Sequence, residues 1–125
     1  MEWTPIIDSA YDCTITPGTA TTTCDVTIQL KDFAGNDLTV KNVVYMYVST
    51  DATGDVLTIV DKIDTTAGGD GDILELLTDS YWMAISEDDG DIAVTIEESD
   101  DIDIYLNVVL PSGKVVTSAK IEMTG

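Results

Sequence analysis

The side chains of this chain that could do chemistry are almost all carboxylates. Asp and Glu number 24 against five Lys, with no Arg and no His, for a formal net charge of −19. Three stretches concentrate the acids: "AGGDGDILE" over Ala67–Glu75, "SEDDGD" over Ser86–Asp91 and "EESDDID" over Glu97–Asp103. A calcium loop needs oxygen ligands at alternating positions around a tight turn. The first stretch resembles a fragment of a glycine-rich calcium repeat, but it occurs once and Ile73 stands where a further Asp is wanted. The second lacks the alternating spacing. All three read as solvated loops between strands, so the expectation is no cofactor, with a structural calcium ion as runner-up. A carboxylate pair could cleave a glycoside. Nearly every loop here has such a pair, and nothing singles one out.

The other catalytic options are closed by composition. Without His there is no imidazole base, and without Arg no guanidinium to hold an oxyanion or phosphate. No nucleophile elbow, phosphate loop or zinc motif occurs. The expectation is no catalytic residue, no metal ligand and no enzymatic activity. The charge also excludes partners. Phosphate contacts need clustered cations, so nucleic acid is excluded, and anionic membrane is disfavoured for the same reason. A surface this acidic keeps a crowded protein soluble.

Two cysteines frame "CTITPGTATTTC", Cys13–Cys24. With Gly18-Thr19 at the centre of a type II′ turn, Pro17 faces Ala20 and Cys13 faces Cys24. Directly opposed residues of the closer kind lie within disulfide range. A structural Cys13–Cys24 bridge is therefore expected, against free, partly buried thiols. Two Cys without His cannot close a zinc sphere, and the spacing is far from a redox pair.

The elements that would position these groups are strands. Val26, Ile28 and Leu30 alternate with Thr27, Gln29 and Lys31; Val44, Met46 and Val48 with Tyr45, Tyr47 and Ser49; Ile92, Val94 and Ile96 with Ala93 and Thr95. Ile102 to Leu110 repeats the pattern. Period-two alternation is that of a half-buried strand, and the Thr, Val, Ile and Tyr content suits it. Turn clusters fall between: Pro17-Gly18, Gly35-Asn36, Thr53-Gly54, Gly68–Gly71, Asp89-Gly90 and Ser112-Gly113. Ile73–Ser80 could be a strand or a helical turn and is read as extended. A two-residue turn at Ser112-Gly113 would set Leu110 opposite Val115, Val108 opposite Thr117, Leu106 opposite Ala119 and Ile104 opposite Ile121.

The fold expected is all-β, a single antiparallel sandwich of about seven to eight strands. The chain's 125 residues suffice for one domain with one core. Residues 1–25 read as an N-terminal arm and hairpin, 26–125 as the sandwich proper. No apolar run approaches the roughly 20 residues of a membrane helix. The opening Met1-Glu2-Trp3-Thr4-Pro5 has neither the basic region nor the apolar run of a signal peptide.

Aromatic residues offer the remaining candidate site. Trp3 and Tyr11 precede the first firm strand, and Tyr45 and Tyr47 share the face opposite Val44, Met46 and Val48. Aromatics anchor interfaces. Trp3, Tyr11, Tyr45 and Tyr47 are therefore the expected docking surface, with Trp3 and Pro5 on a docking arm. Of adjacent Tyr81 and Trp82, at most one points inward.

The run of "VTIQLKDFAGNDL", "VVYMYVSTDATGD", "DGDIAVTIEES" and "IYLNVVLPSGKVVTSAKI" resembles a family of small phage virion structural proteins with an immunoglobulin-like domain. The D-x-x-G-N turn after a strand also resembles bacterial Ig-like surface domains. The resemblance spans about residues 26–121 and leaves out the cysteine hairpin and the arm. It implies an Ig-like sandwich that decorates a capsid or attaches to head or tail components. The function expected from it is a capsid decoration (cement) protein on the outer capsid surface, made in the host cytoplasm. Its partner would be the major capsid protein or another virion component, and copies could cluster at a symmetry axis. The alternative is an adhesive or carbohydrate-binding Ig-like module of a fibre or cell surface. A carboxylate hydrolase ranks far behind.

Overall fold

The computed structural model describes residues 9–66 and 68–125. Trp3 and Pro5 of the expected docking arm lie outside them. The described chain is strand and turn throughout, and it contains no helix long and apolar enough to cross a membrane.

Two antiparallel sheets face each other. The smaller has the order β1 (Asp12–Pro17), β2 (Thr23–Lys31), β8 (Asp91–Glu97), β5 (Lys62–Thr65). The larger runs β10 (Val115–Thr117), β9 (Ile102–Val109), β3 (Val43–Ser49), β7 (Tyr81–Ile85), β6 (Asp72–Leu77). In that sheet β11 (Ile121–Met123) also pairs with β9, and β4 (Leu57–Thr58) with β3. This is the all-β sandwich that the alternation predicts. Residues 12–25 join strands of residues 26–125 in the smaller sheet, because β2 is continuous through residue 25.

The alternating apolar sets meet in the middle. Val26, Ile28 and Leu30 of β2 and Ile92, Val94 and Ile96 of β8 line one inner face. Val44, Met46 and Val48 of β3 and Ile104, Leu106 and Val108 of β9 line the other. All are at most 1% exposed. Trp82 on β7 is fully buried among them while Tyr81 turns outward. Fully burying one such side chain contributes about 1.5–3 kcal/mol.

Two registers differ from expectation. In β1–β2, Pro17 pairs with Val26, Ile15 with Ile28 and Cys13 with Leu30. The connection is the longer loop Gly18–Thr22, closed by the Gly18 amide donating to Asp25 O at 2.7 Å. A two-residue turn would have set Ile15 against Thr22, whereas the observed register sets it against Ile28. Cys24 consequently lies six residues along β2 from the partner of Cys13, about 20 Å at the rise of a strand. That exceeds any disulfide span, and both thiols are free and buried. The expected Cys13–Cys24 bridge is thus corrected to two separate core thiols.

The last hairpin is the second difference. Its loop has three residues, Pro111-Ser112-Gly113, with Gly113 at φ 90° and the Leu110 amide donating to Lys114 O. A three-residue loop ending in a left-handed glycine adds one residue to the expected turn. Val116, not Thr117, therefore opposes Val108. The chain regains the expected register at Ile121 opposite Ile104. The change happens at Ser118, whose amide donates to Leu106 O while its Oγ accepts from the Leu106 amide at 3.0 Å.

Burial first, and then the Asp12 carboxylate, pushes the Cys13 thiol up to about 12; burial raises Cys24 as well. Protein prepared without reductant should yield both thiols on denaturation and react only slowly with a thiol reagent while folded. A mass two hydrogen atoms short of the reduced chain would contradict the register.

Candidate docking face

A strand that buries alternate side chains turns the others outward. On the smaller sheet these outward rows are polar: Thr14–Gln29–Asp91, Thr16–Thr27–Ala93 and Asp25–Thr95–Asp64. Thr95 Oγ1 donates to Asp25 Oδ1 at 2.7 Å within the last row. Thr, Asp and Gln facing water are what a solvated sheet face needs.

The larger sheet is different. Its pairings set Val115 beside Val109, Val109 beside Tyr45, Tyr45 beside Met83 and Met83 beside Leu74. One apolar row thus crosses all five strands on the outer face. Val43 and Ile85 form part of the next row. Leu74 is 55% exposed, Val115 42% and Tyr45 38%. Among the described residues, the exposed large apolar side chains other than Tyr11 and Phe33 lie on this face, on β6, or at β4 and its neighbours Val56 and Ile59.

The face is organised as well as apolar. Tyr45 stacks on Tyr81, ring centroids 5.6 Å apart and planes 3° from parallel. Tyr81 is raised above the ordinary phenol range, chiefly by burial and then by Tyr45. At one end, Ser9, Lys41, Asn42, Val43, Tyr45 and Pro111 line a shallow groove of about 430 Å³. At the other end a polar latch holds the loop after β3. Tyr47 Oη donates to Gly54 O at 2.7 Å. Asn107, fully buried beneath, donates to Ser49 Oγ at 2.9 Å and accepts from Thr117 Oγ1 at 2.7 Å. Gly54 sits at φ 75°, where an added Cβ would lie 2.6 Å from Asn107 Oδ1. Asp51 closes the loop by accepting from the Thr53 hydroxyl and from the Asp55 and Val56 amides. Those bonds, the Thr53 hydroxyl first, hold its carboxyl at about 2.

The four residues expected to form one docking surface divide. Tyr45 lies on the apolar face as expected. Tyr47 shares that face but is engaged in the latch, and burial followed by Asp55 and Asp51 raises its phenol. Tyr11 stands apart, edge-on to Phe33 with centroids 5.5 Å apart, and its amide donates to Lys31 O beside the smaller sheet. Trp3 lies outside the described residues. Sequence reasoning missed Val43, Met83, Leu74, Val109 and Val115. The signal was there: "VVYMYV" and "YWMAI" are apolar at consecutive positions, which a strand with one wet face does not require. Among the described residues no three Asp, Glu or Cys gather in a metal-holding group.

The latch predicts two losses. Gly54→Ala should destabilise by about 2 kcal/mol or more, from left-handed strain and the contact with Asn107. Tyr47→Phe should cost about 1 kcal/mol. Equal denaturant midpoints for both variants and the parent would refute the latch. The third expectation concerns pH. Folding lowers the Asp51 pKa from its ordinary 3.8 to about 2, so its contribution is whole above the ordinary value and is lost as pH falls through the lower one. A carboxyl-carbon titration of the folded protein should place the Asp51 midpoint at about 2; a midpoint in the usual carboxylate range would contradict the capped loop.

No family model and no curated protein matches the chain. Among solved structures, the chain is similar to the sixth cohesin of Acetivibrio cellulolyticus scaffoldin B, determined in complex with a Cel5 dockerin mutant. The two are 16% identical, the match covers 90% of this chain and 97% of that one, and the TM-score is 0.37. The strand pairings above, not this likeness, define the architecture.

Proposed function

We propose that this chain is a non-enzymatic binding module that docks to another protein through the outer face of its larger sheet. The observation that carries this is the asymmetry of the two outer faces: Thr, Asp and Gln on one, a row from Val115 to Leu74 on the other. Exposed contiguous apolar surface ringed by charge marks interaction sites. Burying what remains exposed of each such side chain would contribute about 1 kcal/mol, so a handful suffices for specific association. Stacked Tyr45 and Tyr81 are rigid anchors with little rotamer freedom to lose.

The finer reading, supported by the sequence resemblance, is a phage virion structural protein that decorates the outer surface of the capsid. The major capsid protein is then the partner, and the acidic remainder of the surface keeps densely displayed copies apart. A carbohydrate-binding module would instead retain glycans.

Co-sedimentation with assembled capsids of the encoding phage tests both levels. The parent and a Thr14→Ser, Thr27→Ser variant of the polar face should pellet with the capsids. Val43→Ser with Tyr45→Ser should bind at least about tenfold more weakly. Glycan retention without capsid binding would overturn the decoration reading, and equal binding by the apolar-face variant would overturn the docking face.

A further inference from the structure

The end of the larger sheet, as well as its face, is open. β6 is the last strand in the order and, among the described strands, hydrogen-bonds to β7 alone. Beyond that ladder, its described backbone takes part only in the turn to β7, where the Ser80 amide donates to Leu77 O. Asp72 to Glu75 pairs regularly, and the bulge begins only between Glu75 and Leu77.

Sheet edges are a pairing hazard that proteins blunt with Lys, Pro, shortness or cover. The other terminal strands carry such devices: β1 ends in Pro17, β5 begins with Lys62, and β10 has three residues. β6 has neither Lys nor Pro and exposes Leu74, Leu76 and Leu77. Its bulge is confined to the far end.

Charge selects what could pair there. Asp70, Asp72, Glu75 and Asp79 flank these leucines, and no Lys or Arg occurs anywhere from residue 63 to 113. A second copy would bring its own acids to the same edge, with a net charge of −19 on each chain, which disfavours self-pairing. A partner with cations and apolar side chains on one extended segment meets all three features: an open ladder, exposed leucines and an acidic rim.

We infer that the outer edge of β6 accepts an extended, lysine- or arginine-bearing segment of another protein as an added strand. Main-chain hydrogen bonds to Asp72–Glu75 would supply the pairing, and alternate side chains would meet Leu74 and the flanking carboxylates. This goes beyond docking on the face and does not require it.

The probe is a capped peptide of alternating lysine and valine, about eight residues long, added to the isotope-labelled full chain. Amide signals of Asp72–Leu77 should shift first and most, and exchange of the Asp72–Glu75 amides should slow at least about tenfold. A glutamate–valine peptide should leave them unchanged. Of two peptides with every second amide N-methylated, one in each phase, at least one should lose the effect. The inference is overturned if no signal moves, if the glutamate peptide acts equally, or if both N-methylated peptides act like the parent. It is equally overturned if shifts concentrate in the acidic loops Glu87–Asp91 and Glu97–Asp103. The Val43→Ser, Tyr45→Ser chain separates the two sites: it should keep peptide binding at β6 even where it loses the capsid.

Discussion

Successive side chains of a β-strand point to opposite faces, and β3 carries apolar side chains on both. Val44, Met46 and Val48 are buried against the opposing sheet; Val43 and Tyr45 face the other way and remain exposed. The core explains the first set completely. It does not explain the second, because the strands of the smaller sheet put Thr, Gln and Asp in the equivalent outward positions. The proposed docking face follows from that difference. The sandwich is closed by one set of alternations, and the surplus is the face proposed for docking.

The rest of the structure holds the surplus in place. β9 and β7 flank β3 on either side and supply Val109 and Met83 to the same row. Buried Asn107, fully hydrogen-bonded, fixes the loop after β3 over Tyr47, so one end of the face is closed while Tyr45 stays free to stack on Tyr81. A satisfied buried amide rigidifies its surroundings, whereas a half-satisfied one would be costly. Around the β6 end of that face lie Asp70, Asp72, Glu75 and Asp79, where water solvates them. The apolar row is therefore bordered by charge at that end, a combination that favours binding over aggregation.

Where one strand face was buried and the other wet, the sequence was readable. The inner residues of β2, β3, β8 and β9 follow from period-two alternation; alternation alone leaves open which of Tyr81 and Trp82 turns inward and whether Ile73–Ser80 is a strand or a turn. Registers were less legible. The β1–β2 loop and the Pro111–Gly113 loop each differ in length from the shortest turn their residues permit, and every facing pair depends on that length. The Cys13–Cys24 expectation failed for this reason alone. The outer apolar face was legible only in part, because aromatics draw more weight than aliphatics in a sequence reading of interfaces. Tyr45 was found, while Val43, Met83 and Leu74 were not. That they form one continuous row becomes visible only once strand order makes them neighbours.

Covalent footprinting compares the same residues free and in the native assembly, and so reads the occupied surface directly. The isolated chain should be modified at Val43, Tyr45, Met83 and Leu74. In the assembly these positions should become protected, while Thr14, Asp25 and Thr27 on the opposite sheet keep their reactivity. Protection of the polar face, with the apolar row still modified, would contradict the account.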